Sequence, residues 1–226
     1  LLNASDQIIE KGREAAGELL EAAAGDIEFS RDEGAFRIVG TDRSIDLFAV
    51  AKAAREKGAD AALNTEYSHS PAAETFPNGC HIVEFEIDPE TGLYQIERYS
   101  IVDDFGRTMN PLLLEGQVHG GIVQGLGQAM MEQIVYDPDG QPLTGSFMDY
   151  TLPRASNVPF FDFETRNVPS TANPLGIKGA GEAGAIGAPP ALIHALLDAL
   201  HRHNGTRHLD MPATPEKVWR ACQAAA

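Results

Sequence analysis

Residues 173–190 read NPLGIKGAGEAGAIGAPP, and the fold class turns on how that run is read. Within it, GAGEAG (179–184) matches the GxGxxG spacing of dinucleotide-binding turns. That reading needs a buried strand directly before the glycines and an acidic residue closing a second strand about 20 residues later. The preceding TANPLGIK is a poor strand with an internal proline, and Asp198 falls inside a predicted helix. The motif therefore does not specify a doubly wound parallel sheet. The run is also poor in charge. Beside Gly176, Gly179, Gly181, Gly184 and Gly187 it carries only Lys178 and Glu182, and no further charged residue follows until Asp198. Glycine lets backbone approach a ligand closely. Weakly polar surroundings suit a carboxylate to proton transfer near neutrality. Two readings stay open from the run alone: a catalytic Glu182 on a backbone cradle, or an exposed glutamate on a flexible loop.

Downstream, Pro189 and Pro190 suit the first turn of a helix running over 191–203, with Leu192, Ala195, Leu196, Ala199 and Leu200 inward. Asn204-Gly205 stops it. Thr214 caps a last short helix with Pro215 at its first position, carrying Val218 and Trp219. Upstream, residues 115–134 have helical spacing yet contain Gly116, Gly120, Gly121, Gly125 and Gly127. Interior glycines of this number cost a helix about 4–5 kcal/mol against alanine, which tertiary contacts must offset. Gln117, Gly120, Gly121, Gln124 and Gln128 fall near one face, and Val118, Ile122 and Leu126 on another. Either small residues pack this helix closely against a neighbour, or a polar cofactor lies on bare backbone beside a glutamine amide that both donates and accepts.

The rest predicts an α+β fold of antiparallel β-hairpins packed with several α-helices. Ser5 or Asp6 caps a helix to about 24, stopped by Gly25, and IEFS and AFRIV flank RDEG as a hairpin. Ser44 caps a second helix to about 57. Residues 59–79 read as an irregular connection. Residues 80–88 alternate, with Val83, Phe85 and Ile87 on one face. DPETG turns the chain and 93–102 returns as the partner strand. DPDG near 137–140 is another hairpin turn, and MDYTLPRASNVP and FDFETRNVP suggest short strands broken by proline.

The chain has 226 residues and a net charge of −16, which argues against a nucleic-acid partner and weakly against an anionic membrane surface. No apolar run approaches a membrane span, and no signal peptide is read at the N-terminus. Cys80 and Cys222 form no close metal pair or disulfide framework, so a cytoplasmic setting is expected. The seven histidines show no HExxH pattern, so no metal bound directly by side chains is expected. No GxSxG elbow occurs, and neither cysteine sits beside an obvious base.

Three longer runs carry a resemblance. They are GQVHGGIVQGLGQAMMEQIVYDPDGQPLTGSFMDYTLPRA, then NPLGIKGAGEAGAIGAPPA, then DMPATPEKVW, preceded by FPNGCHIVEFEIDPETG and DDFGRTMNP. Together they resemble the C-terminal part of the large subunit of molybdenum hydroxylases. This is the xanthine oxidase family, in its branch of aldehyde oxidoreductases and aerobic carbon monoxide dehydrogenase-like proteins. The resemblance covers roughly 65–221 and implies that the whole of 1–226 is a C-terminal molybdopterin-binding domain whose N-terminal half is absent. It implies that Glu182 is the active-site base toward a hydroxide on molybdenum, and that Gln117 hydrogen-bonds near the metal. Gly179 and Gly181 would be backbone close to the cofactor.

The implied cofactor is molybdopterin cytosine dinucleotide, which holds the molybdenum through the pterin. Iron–sulfur clusters of the 2Fe-2S type and FAD are expected on partner domains or subunits. The implied reaction is oxidation of an aldehyde or N-heteroaromatic carbon with oxygen from water. Ala183-Gly184 after the glutamate points away from carbon monoxide dehydrogenase. A cofactor-free scaffold role is the alternative.

Overall fold

The computed structural model describes residues 1–59, 62–71 and 73–224, and they form two compact units, Leu1–Ser70 and one beginning at Pro71. The first unit holds α1 (Leu2–Leu20), β1 (Ile27–Ser30), β2 (Ala35–Ile38), β3 (Ser44–Asp46) and α2 (Leu47–Glu56). Its three strands form an antiparallel sheet in sequence order. The expected hairpin is there, with Phe29 opposite Phe36. Ala16, Leu20, Ile27, Phe36 and Val50 make the core. Gly12 of α1 makes room for it, since a Cβ there would strike the Phe36 ring.

Three boundaries differ from the sequence reading. The first helix starts at Leu2, with Leu1 as its N-cap and no side-chain cap, ahead of the expected Ser5 or Asp6. It also ends earlier, at Glu21, which takes a left-handed conformation and caps it ahead of Gly25. The second is capped by Asp46 in place of Ser44, because the Asp46 carboxylate accepts from the Phe48 and Ala49 amides and residues 44–46 are spent as a strand. The expected irregular connection has no helix or strand over 62–71 and 73–77, while 60, 61 and 72 lie outside the described residues.

The second unit contains β4 (Asn78–Ile87), β5 (Tyr94–Asp104), α3 (Pro111–Met130), β6 (Phe161–Thr165), α4 (Ala183–Asn204) and α5 (Pro215–Gln223). β4 and β5 form the predicted hairpin, with Val83, Phe85 and Ile87 facing inward. Glu84 pairs with Arg98 and Phe85 with Ile96, so Glu97 is an unpaired bulge residue. The bulge resets the alternation, and Ile96, Tyr99, Ile101 and Asp103 all point into the core. The sheet is mixed, not purely antiparallel, because β6 joins the free edge of β5 in parallel. Of the two strands expected near 148–168, only FDFET forms; residues 155–157 turn as a short 3-10 helix. DPDG makes its turn with a single bridge, Tyr136 to Pro142, and no longer ladder. Gly92 closes the β4–β5 turn with φ of 71°, and a Cβ there would strike Pro215 O, so this turn docks on α5.

α3 begins at Pro111, capped by the Asn110 side chain on the Leu113 amide, and stops at Met130, short of the expected 134. Its packing face is Val118, Gly121, Ile122, Gly125, Leu126 and Ala129, buried against α4. Gly121 therefore belongs to the packing face and not to the glutamine face. A Cβ on it would lie 2.9 Å from the Ala185 nitrogen, and one on Gly125 would lie 2.8 Å from Ala188 Cβ.

α4 begins at Ala183, eight residues before the expected start, with Pro189 and Pro190 inside it. Proline removes an amide and clashes with the preceding turn, so a helix interior rarely accepts it. Here Pro189 sits over Gly125, and the close contact of two glycine-bearing helices holds the extra turns. At 22 residues α4 is long and apolar enough by composition to cross a membrane. The sequence reading, that no apolar run approaches a membrane span, is thus not met by this helix's length and composition. Leu192, Leu196 and Leu200 are spent in the core.

Candidate active site

The glycine run leads from β6 into α4 and packs on the end of β5. Lys178 donates through its backbone amide to Phe105 O at 2.9 Å, and its ammonium lies 2.6 Å from Asp104 Oδ2. Asp104 Oδ1 accepts from the Gly106 and Val168 amides at 2.8 and 3.0 Å. Gly106 has φ of 73°, and a Cβ there would strike Gly176 O. Asn173 clamps the start of the run, accepting from Ile177 N and donating to Ile177 O. Lys178 thus ties the run to the end of β5. The sequence marked Lys178 as one of two charges but gave it no partner; the signal was the Asp103-Asp104 pair in DDFGR.

Burial alone would raise the Asp104 carboxyl, but the Lys178 ammonium and the two amide donors outweigh it and hold it down at about 2. The unfolded carboxyl titrates near pH ~3.9. The stabilisation is therefore fully present above that value and is lost as pH falls through about 2. A difference of this size is worth roughly 2 kcal/mol. We expect Asp104→Asn to lower stability at neutral pH by at least that amount, since Lys178 is left nearly buried and unpaired. Denaturant melts at neutral pH and near pH ~3 check this, and the gap between variant and wild type should narrow on the acid side.

The sequence-derived site residues come together at the start of α4. Gln117 Nε2 donates to Gly181 O at 2.7 Å, the carbonyl immediately before Glu182. Glu182 is the N-cap residue of α4, and its side chain makes no capping hydrogen bond. It is exposed, as are Gln117, Gly179 and Gly181. The weakly polar enclosure expected around Glu182 is therefore not built by this chain. Glycines have no side chains with which to wall in a neighbour. A Cβ added to Gly181 would meet nothing within 4 Å, and one added to Gly179 only Thr75 O at 3.9 Å. Neither has a positive φ. Neither packing nor backbone conformation among the described residues requires glycine there.

The glycines of α3 fall into two sets, one packed and one open. Gly121 and Gly125 seat α4. A Cβ on Gly116 or Gly120 would meet nothing within 4 Å, and both lie beside the exposed Gln117, Gln124 and Gln128. His119 is packed against Phe161 and Phe163. His201 and His203 occupy the last turn of α4, where positive charge is favoured. Among the described residues, no group of three His, Cys, Asp or Glu is placed to hold a metal. A dinucleotide reading of GAGEAG fails in the structure, because residues 176–180 form no strand ahead of the helix.

Residues 1–159 match the family described as Molybdopterin cofactor-binding domain. The chain belongs to the molybdopterin cofactor-binding domains of the xanthine oxidase family. The match ends before the glycine run, but relatives continue through it. The 6-hydroxypseudooxynicotine dehydrogenase complex subunit gamma of Paenarthrobacter nicotinovorans is 40% identical over 222 residues, covering 96% of this chain and 28% of its own length. The carbon monoxide dehydrogenase large chain of Hydrogenophaga pseudoflava is 33% identical over 222 residues, covering 96% of this chain and 27% of its own.

Among solved structures, quinoline 2-oxidoreductase from Pseudomonas putida 86 superposes with a TM-score of 0.80 at 32% identity, over 97% of this chain and 28% of that one. This molybdopterin-binding domain thus spans little more than a quarter of the length of the relatives it matches. The α+β class agrees with that neighbour. The leaning away from carbon monoxide dehydrogenase gains no support, since such a large chain stands among the relatives. The Ala-Gly pair after Glu182 was too short a signal to separate the branches.

Proposed function

We propose that this domain serves a molybdenum hydroxylase oxidising an aldehyde or N-heteroaromatic carbon with oxygen from water, with Glu182 as general base. The observation that carries this is the bond from Gln117 Nε2 to Gly181 O. It joins the glutamine of the glycine helix to the backbone of the residue before Glu182, so the two candidate residues are brought together at the start of α4. The carboxylate makes no capping bond that would compete for its lone pairs, and it is free to accept a proton.

The residues suit the proposed cofactor. Bare backbone at Gly116, Gly120, Gly179 and Gly181 leaves room for close approach. Gln117 keeps a second N–H and its carbonyl for a pterin or its ligands. Molybdopterin, here in its cytosine dinucleotide form, would hold the molybdenum that supplies the two-electron redox chemistry. Glu182 removes a proton from the oxygen nucleophile, and Gln117 orients the group it bonds. 2Fe-2S clusters and FAD on partner subunits would take up the electrons, and the remainder of a large subunit would cover the exposed face. The setting is cytoplasmic. The relatives named for 6-hydroxypseudooxynicotine and for quinoline support the N-heteroaromatic class; the carbon monoxide dehydrogenase relative makes carbon monoxide the second reading.

Gln117→Ala tests the cofactor contact. We expect turnover per molybdenum to fall by about tenfold, less than on loss of the base, because Gln117 orients and transfers no proton. Molybdenum content should fall as well. Unchanged content and turnover would favour a cofactor-free scaffold role for this domain.

A further inference from the structure

A second group of polar residues lies beside α4, on the side of β4, and the proposed reaction does not use it. Asp103 is 4% exposed, and its Oδ2 has no hydrogen-bond partner. Its Oδ1 lies 3.6 Å from His81 Nε2, beyond hydrogen-bonding reach. His81 is similarly enclosed and is held at its other nitrogen by the Tyr99 hydroxyl, 2.9 Å from Nδ1. Burial pushes the Tyr99 phenol up, and the Asp103 carboxylate adds to this, so the hydroxyl keeps its proton. The Tyr99 hydroxyl thus fixes the ring at Nδ1, and the Nε2 edge faces Asp103.

Two glycines make this arrangement possible. A Cβ on Gly187 would lie 2.6 Å from the His81 ring, and one on Gly79 would collide with Asp103 Oδ1. Asp103 and His81 line a cavity of about 220 Å³ whose other walls include Phe76, Pro77, Ala183 and Ile186.

A buried carboxylate without donors is costly, and native structures supply the missing partner. We propose that this cavity is a binding site for a cationic N–H donor, an ammonium or guanidinium group on an apolar stem. The carboxylate supplies charge and a free acceptor. Phe76, Pro77 and Ile186 accept the stem. Asp103 and His81 alone are too few to ligate a metal, and no set of three such residues occurs among the described residues. The proposal is independent of the role of Glu182.

The test is titration of the full 226-residue chain with methylguanidinium and with propylammonium chloride, followed by the imidazole NMR resonances of His81. Tetramethylammonium, which has charge but no N–H, is the control. We expect a saturable shift with both donors and none with tetramethylammonium. In Asp103→Asn the affinity should fall by at least about tenfold. The same titration on a longer polypeptide or assembly containing this chain separates two sources of the group. Retained binding identifies a free amine ligand. Resonances already at the bound position, and insensitive to added methylguanidinium, identify a Lys or Arg side chain from elsewhere. No saturable response in the 226-residue chain, or an equal response to tetramethylammonium, overturns the proposal without reference to any variant. So does equal affinity in a folded Asp103→Asn.

Discussion

Replacing Glu182 by glutamine is expected to lower turnover of the loaded enzyme by about a thousandfold, within the range that general-base catalysis contributes. Glutamine keeps the shape and hydrogen-bonding reach of glutamate but cannot take a proton. The effect is readable because the side chain carries no structural duty among the described residues. It is exposed and makes no capping bond. Substitutions at such positions change stability by no more than about 0.5 kcal/mol. Molybdenum content and melting temperature should therefore match wild type while the rate collapses. The measurement is steady-state turnover normalised to molybdenum. A rate within a few fold of wild type would return Glu182 to the ranks of surface glutamates.

Gly184→Val is expected to be the most damaging single change to the fold. Gly184 is buried where α4 crosses α3, and a Cβ on it would strike Val118 O and lie 2.8 Å from Ile122 N. Both are backbone atoms inside a helix, so no side chain can rotate away. The helices must separate, and Leu192 and Leu196 lose contact with Ile122 and Leu126. Overpacking with backbone displacement costs about 3 kcal/mol or more. For a protein of this size that is a fall of roughly 10 °C in melting temperature. Gly120→Ala makes the matched control, because nothing lies within 4 Å of its added methyl group. It should leave the melting temperature unchanged or slightly raised. Equal melting temperatures for the two variants would show that the tight contact does not govern stability.

That pair of glycines also marks what could be read from the residues. Helical spacing in 115–134 placed the core face of α3 correctly, because Val118, Ile122 and Leu126 recur at the helical period. It could not say which glycines pack and which lie bare, since that depends on where α4 crosses. The alternation in β4 was plain, but the bulge at Glu97 that turns Tyr99 and Asp103 inward leaves no local mark. Parallel addition of β6 was equally hidden, because its partner lies some 60 residues away in sequence. The start of α4 was missed through a sound local rule about proline, overridden by packing on Gly125. The glycine runs left the roles of Gln117 and Glu182 open, and the roles proposed for them come from the long motifs. Their spacing in sequence carries no hint of the 2.7 Å bond from Gln117 to the carbonyl before Glu182. The acidic pair in DDFGR signalled a partner for Lys178, but which of the two faces it, and that Tyr99 faces His81, depends on the bulge that resets the faces of β5.

Most direct is the rate of anaerobic reduction of the loaded enzyme by saturating substrate, measured at neutral pH and matched molybdenum content in wild type and Glu182→Gln. If Glu182 accepts the proton, the variant is reduced about a thousandfold more slowly. Reduction of Glu182→Gln at a rate within a few fold of wild type would contradict the assignment.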